Sequence, residues 1–243
     1  MDLHDHNGAN YITPPTLWLT FPATCVIIRQ RKELIPIIAE YIANAIALLV
    51  AIDVHEFCHA WMADQLGDPT PRYQGRLTLN PLAHLDPLGT LMLILARFGW
   101  GKPVPVNPYN LRNGPKSGMA MVSFAGPLSN LITAALLALP VRLGLMMPTL
   151  RGEIIPSLEM VVTTTILVNV ILAVFNLIPI APLDGFRLLA GLLPYRWSYT
   201  LARYESYGPV FLMLLLAMGF FGIDILGSVM DPIIRLVLVL LTG

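Results

Sequence analysis

Charge is scarce in this chain: only 12% of its 243 residues are Asp, Glu, Lys or Arg, whereas soluble domains carry about a quarter. Beside 56% hydrophobic residues, that shortage excludes an ordinary water-soluble globule and points to the lipid bilayer. Net charge is missing too, Lys and Arg totalling 15 against 15 Asp and Glu, so no bulk electrostatic pull acts toward nucleic acid, which is not expected as a partner. Cysteine is nearly absent; Cys25 and Cys58 are too few for a disulfide scaffold and read as free thiols. The start, MDLHDHNGAN, lacks the basic stretch and short apolar core of a cleaved secretory signal, so the first strong hydrophobic helix is expected to act as insertion signal.

Long apolar runs are what the chain does have. Residues 34–54, interrupted by Glu40, Asn44 and Asp53 and preceded by Arg29, Arg31 and Lys32, read as a membrane helix. It should continue through HEFCHAWMADQL and stop at Gly67, before Asp68 and Pro69. Further spans are expected at 117–147 and 158–180, with shorter apolar stretches at 207–221 and 223–241. Residues 69–116 are rich in Pro, Gly and Asn and predict short strands at 76–80 and in KPVPVNPYNLRN. Between these strands, the apolar patch 88–98 suits an interfacial, re-entrant or partly spanning helix. Pro14, Pro15 and Pro22 make residues 11–28 an interfacial piece rather than a span. The expected fold is an all-α polytopic membrane protein with four to six transmembrane helices and a short β-hairpin or small sheet at the membrane rim. Arg97, Lys102, Arg112 and Lys116 in one loop and Arg187, Arg196 and Arg203 in another make the basic end the expected cytoplasmic one.

Near the end of the first helix stands HEFCH. Residues four apart share a helix face about one turn from each other, so His55 and His59 can reach one ion, and the pairing points to zinc. Glu56 lies next round the helix, placed for a general base, while Cys58 faces away from the histidine stripe. A catalytic zinc normally takes three protein ligands, so one is missing. Asp184, in FNLIPIAPLDGF, is the best candidate, because a carboxylate embedded in apolar sequence costs free energy unless it meets a cation. Turn chemistry in Pro-Leu-Asp-Gly is the plain alternative, leaving His84 and Asp86 as rival ligands; there Asp86 also suits a helix cap, and His84 a packed or solvated side chain. Asp53 orients His55 or a neighbouring loop, or is solvated at the helix end, and His4 and His6 sit in a polar terminus.

With HEFCH on the first core helix and FNLIPIAPLDG on a later one, the chain resembles the intramembrane site-2 metalloproteases. NPLAHLDPLGT, KPVPVNPYNLRN and GPLSN at 126–130 are similar to short bacterial-type members, so the resemblance spans 47–194. It implies one Zn²⁺ per chain held by His55, His59 and Asp184, with Glu56 catalytic and a transmembrane-protein substrate cleaved within the lipid bilayer of a bacterial cell. No stretch resembles the peptide-binding or nucleotide-binding regulatory domains fused to some members. Asn176, eight residues before Asp184, suits either a hydrogen bond to substrate or a structural role. The expected organisation is an N-terminal segment 1–32, partly interfacial or disordered, a membrane-embedded core 33–194 and C-terminal membrane helices 195–243. A membrane metal transporter, needing a polar path open at both faces, and a non-catalytic helix-binding relative, needing loss of Glu56 or a ligand, are the alternative functions. The spans after Met147 carry few ionisable groups, which disfavours a conduit.

Overall fold

The computed structural model describes residues 34–89, 101–150 and 155–243. The readings of 1–32, including His4, His6, Cys25 and the piece at 11–28, of Arg97 and of most of the patch 88–98 lie outside the described residues. What is described is helical. α1 runs Leu34–Gln65, α2 Gly114–Arg142, α3 Leu158–Asn176, α4 Asp184–Leu192, α5 Tyr195–Ala202, α6 Gly208–Phe220 and α7 Ile225–Thr242. Four of these, α1 from Ile38, α2, α3 and α7, are long and apolar enough to cross a bilayer.

α1 buries an alanine ridge. Ala39, Ala43, Ala47 and Ala51 are all 0% exposed, and continuing at the same four-residue spacing come His55, His59 and Ala63. Small side chains let neighbouring backbones approach closely, which in lipid is a main source of helix association. The two histidines thus occupy the face that the alanines have already turned toward the other helices. The helix ends as expected at Gly67, φ +102°, with Gly67 N–H bonded to Asp64 O at 3.0 Å and Asp68 N–H to Ala63 O at 2.9 Å, a Schellman closure.

The core lies between α2, α3 and α7, where Ala134, Ala138, Ile166, Val170, Val174, Met230 and Ile234 are buried together. Ser157 caps α3, its hydroxyl accepting Met160 N–H at 3.2 Å, and Asp224 caps α7 by accepting Gly227 N–H at 2.8 Å. Outward faces carry large apolar side chains such as Ile42, Ile46, Leu136, Leu236 and Val239, the surface that hydrocarbon would cover.

The strands expected at 76–80 and in KPVPVNPYNLRN are replaced by short turns. Among the described residues, extended pairing is confined to one antiparallel bridge, Leu85 with Gly101, beside the bond from Lys102 N–H to His84 O at 2.7 Å. Side chains have taken the donors a ladder would need: Thr78 Oγ1 accepts Asn80 N–H at 3.2 Å, Asn80 Oδ1 accepts Leu82 N–H at 3.1 Å, and Asn107 Oδ1 accepts Tyr109 N–H at 3.1 Å. Pro81, Pro103, Pro105 and Pro108 have no N–H to offer. Arg76, placed by the alternating pattern on a strand, instead turns inward at 4% exposure and donates to the carbonyls of Ala83, Lys102 and Pro103.

Candidate metal centre

Between α3 and α4 the chain reverses through residues 177–183, which bring the first residue of α4, Asp184, back against α1. Gly185 makes this reversal possible, since a Cβ there would collide with the carbonyls of Leu177 and Ile178. The carboxylate also sits at the N-terminus of α4, where the helix dipole favours negative charge. It reaches both histidines. His55 Nε2 lies 3.0 Å and His59 Nε2 3.1 Å from Asp184 Oδ2, and the two Nε2 atoms are 2.9 Å apart. His55 and His59 are buried and Asp184 is half-buried.

The partners of the other ring nitrogens constrain what this cluster can do. His59 Nδ1 lies 2.7 Å from Val122 O, a carbonyl that can only accept, so Nδ1 carries a proton and, in the neutral ring, Nε2 carries the lone pair. His55 Nδ1 lies 2.6 Å from the side-chain oxygen of Asn130, with the same result. Two lone pairs and a carboxylate oxygen therefore converge. Around a tetrahedral zinc with ligand bonds of about 2.0–2.2 Å, ligand atoms stand roughly 3.3–3.5 Å apart, so a few tenths of an ångström of expansion would admit the ion. The donor set fits it: two neutral imidazoles and one carboxylate leave the fourth position open.

The remaining expected residues sort by distance from this point. Glu56 is half-buried on the same turn of α1, and its Oε1 lies toward Gly101, where a Cβ would come within 3.8 Å of it. His84, a rival ligand, is 0% exposed and turned away, donating from Nε2 to Thr78 O at 2.8 Å and standing 3.6 Å from Asp53 Oδ1. Asp86 caps a turn, accepting Gly89 N–H at 2.8 Å. Neither joins the cluster of His55, His59 and Asp184. Asp53 faces His84 and its loop. Asn176, half-buried at the end of α3, donates to Leu172 O at 3.0 Å. Cys58 is a free, half-buried thiol.

Sequence reasoning gave no role to Asn130, Asn169 or Gly126. An amide such as Asn169 inside ILVNVILAV carries the same signal that singled out Asp184, a polar group in apolar surroundings. Val122 contributes only its carbonyl, which no side-chain pattern can reveal.

The comparisons with known proteins converge on one group. The family profile described as Peptidase family M50 matches residues 144–218. Over 174 residues, 70% of this chain and 78% of the relative, the chain is 40% identical to YwhC of Bacillus subtilis (strain 168), named as a candidate zinc metalloprotease. It is 34% identical over 173 residues to Rip2 of Mycobacterium tuberculosis (strain ATCC 25618 / H37Rv), covering 69% of this chain and 63% of that protein, which bears the same description. Rip2 of Mycolicibacterium smegmatis is 33% identical over 177 residues. No solved structure matches the chain. By the profile and by its identity to YwhC, the chain belongs to peptidase family M50, the family of the site-2 metalloproteases.

Proposed function

We propose that His55, His59 and Asp184 hold the zinc ion of an intramembrane metalloendopeptidase and that Glu56 is its general base. The observation that carries this reading is the meeting of both histidine Nε2 atoms with Asp184 Oδ2 at 2.9–3.1 Å, each Nδ1 facing an acceptor oxygen elsewhere. Zinc, when bound, supplies a Lewis acid for the scissile carbonyl and lowers the pKa of its water to about 7. Glu56 takes a proton from the attacking water as the water oxygen bonds to the carbonyl carbon. It returns that proton to the amine nitrogen as the C–N bond breaks. Asn176 has a second amide proton beyond the one given to Leu172, and we assign it to the substrate carbonyl or the developing oxyanion.

The substrates are transmembrane segments of other proteins, and the chain works as a multi-pass protein of the bacterial cell membrane. A helical segment shields its peptide bonds, so it must unwind before the bond reaches the centre.

Purified protein reconstituted with a panel of single-span peptides tests the assignment. Glu56→Gln is expected to keep its zinc and lose cleavage by about 10²- to 10⁴-fold. Equal cutting by both proteins would reject the base. In the same preparation Asp184→Ala should release the metal and His84→Ala retain it; the opposite pattern would transfer the third-ligand role to His84.

A further inference from the structure

Behind His55 a line of buried amides crosses three helices. Asn130 on α2 and Asn169 on α3 are both 0% exposed. Asn169 Nδ2 donates to Thr165 O at 2.8 Å, and its Oδ1 accepts from Asn130 Nδ2 at 2.8 Å. The Asn130 Nδ2 group also donates to Ala51 O, one turn before His55 on α1, at 2.9 Å. Asn130 Oδ1 remains, 2.6 Å from His55 Nδ1.

The direction of this line is forced from its ends. Thr165 O and Ala51 O are carbonyls and only accept, so the amide atoms facing them must be NH₂ groups. Asn169 then turns its oxygen to Asn130, and Asn130 turns its oxygen to His55. An oxygen facing Nδ1 requires the proton on Nδ1, which in the neutral, metal-binding ring leaves the Nε2 lone pair toward His59 and Asp184.

We infer that Asn130, locked in orientation by Asn169, is a positioning residue that fixes the tautomer and ring plane of His55 so that its Nε2 is presented to the metal. The inference rests on the metal-centre reading above and extends it to two residues outside the ligand set. Groups of this kind, hydrogen-bonded to the far nitrogen of a ligating histidine, typically change metal affinity by about 10- to 100-fold when lost. Asn169 acts one step further out, by denying Asn130 the flipped orientation.

The test compares zinc dissociation, measured by chelator competition on purified folded protein, in variants that separate the two jobs of Asn130. Asn130→Leu removes the acceptor and should weaken zinc binding by about 10- to 100-fold. Asn130→Asp loses both donors but keeps an oxygen for His55, and should bind zinc close to wild type. A side chain that merely tied helices together would weaken zinc binding alike in both, since both variants lose the bonds to Ala51 and Asn169. Equal weakening in the two, or none in Asn130→Leu, overturns the inference. Should Asn130→Leu not fold, Asn169→Leu decides: a smaller weakening is expected, and unchanged affinity counts against the role. A readout without metal is ¹⁵N spectroscopy of histidine-labelled protein, in which His55 should be the Nδ1–H tautomer in wild type and a mixture in Asn130→Leu. An Nε2–H tautomer in wild type rejects the idea. Zinc lost in His55→Ala and Asp184→Ala but unchanged in Asn130→Leu would sink the positioning role alone, whereas zinc indifferent to all three would sink the centre itself.

Discussion

Gly126 is the floor of the metal centre. A Cβ at this position would stand 2.5 Å from His59 Cε1 and Nε2 and 2.6 Å from His55 Nε2, in the space where the lone pairs converge. Helix propensity alone favours the substitution Gly126→Ala, by about 0.8–1.0 kcal/mol in a helix interior. The collision opposes it, because neither ring can retreat: each Nδ1 is tied, one to Asn130 and the other to Val122. Gly126→Ala is therefore expected to retain a folded α2 and lose zinc, read by elemental analysis beside thermal unfolding, and full zinc occupancy in a folded variant would contradict it. At this scale the sequence was partly legible. His55, Glu56 and His59 announce themselves because helical spacing alone puts them on one turn, and Asp184 because a carboxylate in apolar sequence needs a partner. Gly126 and Asn130 acquire meaning only once α2 is packed against α1, since nothing in GPLSN by itself says which helix it faces.

Among the elements, the spans were readable from apolar length, and α1 to its last turn, because Gly67 is a local stop signal. The rim between α1 and α2 was not, because alternation in Arg76–Leu77–Thr78–Leu79 competes with side chains that bind backbone over short range. Asp68 shows how this rim is held. Wholly buried, it accepts from Thr70 N–H at 3.2 Å, Thr70 Oγ1 at 2.6 Å, Asn107 N–H at 2.7 Å and Asn110 Nδ2 at 2.9 Å, joining the end of α1 to the segment before α2. Burial pushes its carboxyl up, but the bonds from Thr70, Asn110 and Asn107 outweigh that and hold it below the ordinary 3.8. A depressed folded value means that the ionised form stabilises the rim above about pH 4, and that this contribution fades as pH falls through the folded value. Asp68→Ala should cost about 1–3 kcal/mol locally by stranding those donors. Hydrogen exchange is the measurement: amides at 107–112 should lose protection in the variant at neutral pH, and in wild type only in acid. Unchanged protection in Asp68→Ala would show that the rim is held by something else.

The whole molecule has two unlike ends. α1 delivers the HEFCH turn to one of them, and the same end carries the rim and the segments after α3, since Arg112 N–H bonds Leu66 O at 2.8 Å and Lys116 donates to Leu193 O. The other end is where Arg142, finishing α2, meets Leu240 near the end of α7. Arg72, Arg76, Lys102, Arg112, Lys116, Arg187, Arg196 and Arg203 belong to the first end, against Arg142 at the second and Arg235 in the second half of α7, among the described residues. Arg29, Arg31 and Lys32 before α1 and Arg151 after α2 reduce that bias in the sequence without reversing it. Excess Lys and Arg in short loops marks the cytoplasmic side, so the candidate centre is expected to face the cytoplasm. The expected depth is read along α1: His55 lies ten residues before Gln65, about 15 Å at 1.5 Å per residue, which with Gln65 at the edge of a hydrocarbon core about 30 Å thick is near its middle. Cleavage is thus expected near the middle of a substrate span. Single cysteines at Tyr109, 87% exposed at the basic end, and Leu145, 78% exposed at the other, report this orientation when Cys25 and Cys58 are replaced by alanine. A membrane-impermeant maleimide should label Leu145→Cys in intact spheroplasts and Tyr109→Cys only after lysis. The reverse pattern would turn the molecule over, with the HEFCH end facing outward.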